Sequence, residues 1–481
     1  MDQTTLEPLK RTEKIQMPER ILQFGGGNFL RAFSDWIIDI LNKETDFSGS
    51  VVIVKPTERG DYQEIDDQGG LFHVVLDGII DGKQQSIVRL VESVSRTIHP
   101  YRDWEGFLES ARIETMRFII SNTTEAGIVF SDKDDKNDQP PAEFPGKLTL
   151  WLHERFKHFG GAEDKGCLIF PCELIEDNGV KLQGTIMEYI NYWDLGEDFK
   201  SWILDHNYFY DTLVDRIVSG YPEDRAAAIE TETGYKDPLM VAGEYYHSWI
   251  MAGDDIVKEE LPFESTSLNV RLVDRLNDYR ELKVRVLNGA HTSLVPVGYL
   301  AGKRTVDEAM SDVSIRQFVE EFLMEEVKPT LDFIPESEVD EFISDVVDRF
   351  LNPVLAHQLL DISLNSFAKF GTRLLPTLRD YVEKKKSLPD RLLYSLACLI
   401  LFYEGDWNGK KIPLRDDAEN LEFAAKMWQA YDAGDITTEE LVVQWLDRLG
   451  VTGFDPTIAQ EIVEKVNSNI MKISKEGVNL D

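Results

Sequence analysis

The stretch Arg20-Ile-Leu-Gln-Phe-Gly-Gly-Gly-Asn-Phe-Leu-Arg31 decides the fold. Arg20 to Phe24 has the length and composition of a buried strand, and it runs straight into Gly25-Gly26-Gly27. Beyond the glycines, Phe29, Phe33, Trp36, Ile37 and Ile40 recur at helical spacing. Ser50 to Lys55 (SVVIVK) is a second strand, rich in β-branched residues. Strand, glycine turn, helix, strand is a βαβ unit that begins near residue 20. Glycine lets the backbone turn tightly there and lets a pyrophosphate approach the amides of the following helix. The third glycine of a G-x-G-x-x-G pattern would fall at Leu30, so the motif is incomplete and its placement carries the reading.

Outward from this unit, Phe72 to Ile80 and Ser86 to Val94 alternate as a hairpin would, with Asp81-Gly82 near the turn. Arg117 to Ser121 and Cys167 to Leu174 read as further buried strands, with helical stretches at Trp104 to Arg112 and Lys147 to Phe159. That alternation predicts an α/β fold with an N-terminal Rossmann-type doubly wound sheet. After about residue 180 the strand signals fade. Pro238 to Met251, Asn269 to Leu300, Val306 to Val327 and Asp390 to Tyr403 all read as helices. A dinucleotide-binding domain over residues 1–270 and a mostly helical substrate and catalytic domain over 271–481 are expected. Ser131 to Glu143, charged and proline-containing, is expected as a surface loop.

Composition narrows the function classes. The 481 residues carry 87 acidic and 51 basic side chains, a net charge of -36. Such a surface repels phosphate backbones and anionic lipid, so neither nucleic acid nor a membrane is expected as a partner. Three scattered cysteines make no disulfide framework and no zinc motif, and Met1 to Gln16 has no apolar run or cleavage signature, so no leader is expected. A reduced, cytoplasmic protein is expected, its oligomeric state open. An anionic substrate would need local cations against the global field.

The segment Glu281-Leu-Lys-Val-Arg-Val-Leu-Asn-Gly-Ala-His291 carries the chemistry. On a regular helix Lys283, Asn288 and His291 fall within a sector of roughly 140°, and Lys283 and His291 lie roughly 12 Å apart in rise. A secondary alcohol loses a proton as its hydride leaves, and a desolvated lysine can take it. An amide can hold the oxygen while it carries negative charge, and a histidine can orient the substrate. Spacing alone fits an ordinary helix equally well.

The joint pattern resembles the polyol-specific long-chain dehydrogenases, the mannitol dehydrogenase family. Lys283-x4-Asn288-x2-His291 matches its signature and Gly25-x-Gly27-x-Phe29-x-Arg31-Ala32 its cofactor turn. Asn178-Gly179, Thr123-Thr124-Glu125 and Leu213-Val-Asp-Arg-Ile217 are similar to further family elements in the same order. Asp205 to Tyr210, Gly234-Tyr235 with Asp237, Arg349 to Pro353 and Asp361 to Asn365 resemble the branch acting on sugar acids. The resemblance implies NAD as cofactor, no metal, and Lys283 as general acid and base. It implies an oxyanion site made by Asn178 and Asn288, with His291 on the substrate. Gly25, Gly26, Gly27, Asn28, Phe29, Arg31, Thr124 and Glu125 are implied at the cofactor.

The chain also departs from the family. Cys172-Glu-Leu-Ile175 replaces the usual Cys-Asp-Asn-Leu, and the cofactor strand ends in Lys55-Pro-Thr-Glu58 rather than an aspartate. Glu58 could bind a ribose, while Lys55 or Arg59 could pair with a 2′-phosphate. Lys369 and Arg373, four apart on a helix, are candidates to hold a substrate carboxylate, Arg373 by two parallel hydrogen bonds; alternatively they are a solvated pair. A uronate substrate, a neutral polyol substrate, and a scaffold that binds dinucleotide without chemistry are the competing functions.

Overall fold

In the computed structural model, which describes residues 6–80, 83–124, 126–354 and 357–480, the apolar runs become six strands. They are β1 (Glu19–Phe24), β2 (Ser50–Val54), β3 (Val94–Ile98), β4 (Phe118–Ser121), β5 (Leu168–Pro171) and β6 (Tyr208–Phe209). Each pairs in parallel with its neighbours, in the order β3-β2-β1-β4-β5-β6. This is the order of a dinucleotide-binding sheet, with its switch point between β1 and β4.

A parallel sheet must be covered on both faces, which is why its strands read as continuous apolar runs. Alternate residues feed two cores: Ile21, Val51, Ile53 and Phe118 on one face, Leu22, Val52, Val54 and Ile119 on the other. Helices α1 (Asn28–Arg31) and α2 (Ser34–Glu44) follow the glycine turn, and α2 packs Trp36, Ile37 and Ile40 on the first face. Helices α3 (Phe144–Phe159) and α4 (Asn178–Tyr192) cover the second.

Two compact units divide the chain: Met1–Asp77 with Gln85–Leu276, and Gly78–Gln84 with Asn277–Asp481. The first holds the sheet. Strand content persists well beyond residue 180, contrary to expectation. Pro238 to Met251 is not a helix: Val241–Glu244 pairs in parallel with residues of Phe72–Ile80, and Ser248–Ala252 lies between Thr212–Asp215 and Val270–Val273. Burial of all four residues of the first strand and pairing with distant strands override the local helical spacing. Strand Val270–Val273 likewise shortens the helix expected from Asn269. The tip of the Phe72–Val91 hairpin, Asp81-Gly82, lies outside the described residues. The 131–143 loop is organised rather than solvated, because buried Asp134 accepts hydrogen bonds from the Ala142 and Glu143 amides and the Tyr189 hydroxyl.

The second unit is built on α5 (Leu276–Lys283), a π-helical turn (Val284–Asn288) and α6 (Gly289–Leu300). Every residue of α6 except His291 is buried, the mark of a central helix. Around it stand α7 (Glu336–Phe350), α8 (Ser366–Arg373) and α9 (Asp390–Phe402), and the Ser395 hydroxyl donates to the Ser293 carbonyl at 2.9 Å. Among the described residues no helix is long and apolar enough to cross a membrane.

One buried charge under the sheet is costly. Asp35 on α2 is fully buried; burial raises its pKa to about 7, against the opposing effects of a 3.3 Å hydrogen bond from Gln23 Nε2 and the charge of Arg31. A raised carboxyl pKa means the folded state keeps a proton that the unfolded chain has released. Stability is therefore highest below the unfolded value and falls as pH climbs from about 4 to about 7. Asp35→Asn removes the ionisation. The variant should melt above wild type at pH 8, by up to about 4 kcal/mol from three pKa units, and close to it at pH 4. Equal melting at both pH values would show that Asp35 ionises freely.

Candidate active site

At the end of β1 the chain turns through Gly25 at φ +116°, a conformation that favours glycine. Space is as tight as the dihedral demands: a Cβ at Gly25 would stand 3.1 Å from the Asn122 carbonyl that follows β4. Gly26 is pinned from the other side, its amide donating to the Tyr62 hydroxyl at 2.8 Å. Gly27 is different. It is exposed, has ordinary extended backbone (φ -72°, ψ 175°), and a Cβ there would meet nothing within 4 Å. Bare backbone facing open space at the first βα turn, beside the switch point, is what close approach of a pyrophosphate requires. The residues present therefore fit a dinucleotide.

Asn28 is exposed beside this opening and Phe29 is half-buried, stacked on Phe33 at 5.0 Å. Arg31 does not join them. Its guanidinium is buried, donates to the Leu239 carbonyl and holds Asn28 Oδ1 at 2.8 Å, so it positions Asn28 instead of reaching a ligand. Thr124 is exposed near the switch point, and Glu125 lies outside the described residues. At the end of β2, Lys55 donates to the Thr57 hydroxyl at 2.8 Å and lies 5.2 Å from the Tyr62 ring centre; burial lowers its pKa. Glu58 and Arg59 are exposed.

Asn178, implied at an oxyanion, is anchored within the first unit. It is buried, and its amide nitrogen donates to the carbonyls of Pro171, Glu173 and Thr212 at 2.9–3.1 Å. Its oxygen accepts from the Gly179 and Thr212 amides. With its amide nitrogen on three carbonyls, Asn178 ties the end of β5 to α4.

In the second unit Lys283, Asn288 and His291 lie on successive turns of one continuous helical segment. All three are half-buried, and the π turn between them changes the geometry read from a regular helix. Closing the backbone at i→i+5 brings residue i+5 above residue i, as i+4 stands in an α-helix. Lys283 and Asn288 are five apart, so the π turn aligns them. His291 follows one α-turn later, its ring stacked 4.2 Å from that of Phe350 and edge-on to His357 at 5.5 Å. Sequence reasoning gave no role to Phe350 or His357, although Phe350 lies in the Arg349 to Pro353 stretch that stood out.

Of the two candidate cations on α8, Arg373 reaches the same helix. Arg373 Nη1 is 3.4 Å from the Thr292 hydroxyl, which itself donates to the Asn288 carbonyl at 2.8 Å. Lys369 Nζ donates to the Ile362 carbonyl at 2.7 Å. Burial, and next the neighbouring Arg373, hold the Lys369 pKa below the ordinary lysine value. Arg373 thus stands beside the helix that carries Asn288 and His291, with Lys369 one turn away on α8, residue types able to grip a polar anion and stabilise charge on an oxygen. Among the described residues no three His, Cys, Asp or Glu side chains gather as metal ligands would.

The glycine turn makes a paired prediction. Gly27→Ala should leave the melting temperature near that of wild type yet weaken dinucleotide binding, because the new methyl enters the opening. Gly25→Ala should destabilise the fold by about 1 kcal/mol or more, from its positive φ and the Asn122 carbonyl. Melting curves with a dinucleotide titration separate the two; unimpaired binding by Gly27→Ala would put the pyrophosphate elsewhere.

Similarity to known proteins agrees with this geometry. Residues 19–265 match the mannitol dehydrogenase Rossmann domain and residues 275–474 the mannitol dehydrogenase C-terminal domain. The chain is 44% identical to altronate oxidoreductase of Yersinia pestis bv. Antiqua (strain Nepal516), over 96% of this chain and 95% of that protein. Its fold is similar to that of D-sorbitol dehydrogenase in substrate-free form, with a TM-score of 0.77 at 22% identity over 96% of this chain and 95% of that one. It is also similar to Pseudomonas fluorescens mannitol 2-dehydrogenase, whose structure is a ternary complex with NAD and D-mannitol, with a TM-score of 0.61 at 20% identity over 96% and 93%. With both family domains covering nearly the whole length in order, the chain belongs to the mannitol dehydrogenase family of oxidoreductases.

Proposed function

We propose that this chain is a cytoplasmic NAD-dependent tagaturonate reductase, reducing the ketone of tagaturonate to the secondary alcohol of altronate and catalysing the reverse oxidation without a metal. The relatives named altronate oxidoreductase support the substrate. The structural observation that carries the reading is the Lys369 and Arg373 pair. A neutral polyol has no use for two half-buried cations, whereas a sugar acid ends in a carboxylate. Arg373 touches Thr292, four residues from Asn288, so an acid end bound there leaves the sugar chain running toward the amide.

The division of labour follows the sequence. Residues 1–270 bind the cofactor through Gly25, Gly26, Gly27, Asn28, Phe29 and Thr124. Residues 271–481 bind the substrate and move the proton. Held at the glycine turn, NAD would supply the redox chemistry, a hydride for reduction as NADH and a hydride acceptor for oxidation as NAD⁺. Lys283 gives a proton from its ammonium to the ketone oxygen, so ketone, hydride and proton balance to the alcohol, and it takes that proton back in the reverse direction. Asn288 donates to the oxygen while charge builds on it. His291, braced by Phe350, orients a neighbouring hydroxyl.

Lys283→Ala should bind NADH normally and lose about 10²–10⁴ in kcat; unchanged turnover would remove Lys283 from proton transfer. Arg373→Met should raise KM for tagaturonate at least about tenfold, the loss expected of a charge-assisted hydrogen bond, with little effect on a neutral polyol. Strong activity on mannitol with none on tagaturonate would overturn the substrate assignment. The lowered Lys369 pKa gives a sign to the pH dependence. Lys369 sheds its proton at a lower pH than a free lysine, so KM for the acid should begin to climb before the ordinary lysine range. Lys369→Arg, which keeps its charge, should flatten that climb; an unaltered KM profile would exclude Lys369 from carboxylate binding.

A further inference from the structure

Glu173 stands two residues after β5, where the sequence departs from the family pattern. In the structure it is 2% exposed. Its carboxylate accepts hydrogen bonds from the Ser121 hydroxyl, the Thr123 amide and the Thr123 hydroxyl, each at 3.0 Å. Burial raises its pKa, and these donors oppose that rise by favouring the charged form. The bonds all run to the segment that leaves β4 at the switch point. Asn122, between the two anchored residues, donates its amide to the Phe24 carbonyl, and its own carbonyl lies against Gly25. The Thr123 hydroxyl is lodged so close to Gly127 that a Cβ there would stand 1.9 Å away. Glu173 is held in turn, because Asn178 Nδ2 donates to its carbonyl at 3.1 Å.

A surface loop charge does not earn this surrounding. A buried carboxylate is tolerated when donors converge on it, and those donors lose their freedom in exchange. The segment so fixed borders the crevice outside the carboxyl ends of β1 and β4, where a dinucleotide lies in a sheet of this order. We propose that Glu173 is a positioning residue for the cofactor: its carboxylate latches Thr123, setting the wall of the crevice opposite the Gly25–Gly27 turn before the dinucleotide arrives. The proposal rests on the NAD-dependent reading above. It assigns Glu173 no contact with the cofactor and no proton transfer, and it gives Asn178 the task of holding the latch's own backbone.

The test measures NADH binding by fluorescence titration, apart from turnover. Glu173→Gln keeps size and shape but sets an amide donor against hydroxyl and amide donors. Thr123→Val removes one donor of the same latch, and Thr123→Ser keeps it. Glu173→Gln and Thr123→Val should each weaken NADH binding about tenfold, as loss of a hydrogen bond to a charged group does. KM for NADH should rise in parallel while kcat at saturating NADH changes little, and Thr123→Ser should bind as wild type does. Variants that melt lower but bind NADH within about twofold of wild type would overturn the latch and leave Glu173 a structural residue. If Glu173→Gln does not fold, Thr123→Val decides by the same criterion. Wild-type protein that binds no NADH would instead overturn the cofactor reading, and the latch with it.

Discussion

A parallel sheet satisfies its own backbone along the strands and abandons it where they end. Each buried amide at the carboxyl edge must find a partner, since an orphaned one costs about as much as a lost hydrogen bond. Much of the first unit is organised by that requirement. Gly25 donates to Val54, Lys55 to Ile98, Asn122 to Phe24 and Cys172 to Ser121, each strand's exit tied to its neighbour. Side chains continue the work where the ladder stops. Tyr62 takes the Gly26 amide, Glu173 that of Thr123, and Asn178 those of Gly179 and Thr212. Gly27 stands apart as exposed, extended backbone with open space where a side chain would be. The edge is closed beside the turn by its own bonds and left accessible at Gly27, which is where a pyrophosphate would approach.

The second unit meets a different constraint with a different device. The proposed chemistry needs Lys283 and Asn288 on the same oxygen, yet five residues on a regular helix put them far around the cylinder. The π turn over Val284–Asn288 supplies the missing rotation. The turn is followed by α6, the helix buried on every residue but His291. Surrounding an irregular turn with a rigid, fully packed element is how a less favourable backbone is kept in place. Phe350 then braces His291.

The legible part of the sequence was the part governed by local pattern. β1, β2, β4 and β5 could be read because central parallel strands are continuous apolar runs and a glycine turn separates the first from its helix. Val241–Glu244 and Ser248–Ala252 could not, because their identity depends on partners tens of residues away and their local spacing is helical. Lys283, Asn288 and His291 were visible as a motif, though the π turn that aligns them has no signature in composition. Asn178 and Arg31 were visible too, but the carbonyls they bind were not: an amide or guanidinium beside a ligand looks, in sequence, the same as one bonded to buried backbone. Glu173 was visible only as a departure from the family pattern, since its partners Ser121 and Thr123 lie about 50 residues away. Phe350 and His357 stand roughly 60 residues from His291 in the chain, and no spacing rule of a single helix joins them.

Charge links the whole chain to the proposed substrate. With 87 acidic against 51 basic residues, the protein's long-range field repels an anion. Such a field is screened over about 8 Å at physiological salt, so it governs encounter more than binding once the anion is inside. Within the second unit the recorded hydrogen-bond partners of Lys369 and Arg373 are neutral, the Ile362 carbonyl and the Thr292 hydroxyl. Burial and mutual repulsion push the Lys369 pKa down, so the free protein carries a local excess of positive charge at some cost. A carboxylate placed between the two would relieve that cost, and a hydroxyl would not. The same electrostatic strain that makes the pair awkward in the free protein would therefore favour a sugar acid over the neutral polyol of similar shape, which is discrimination by a group left deliberately unpaired.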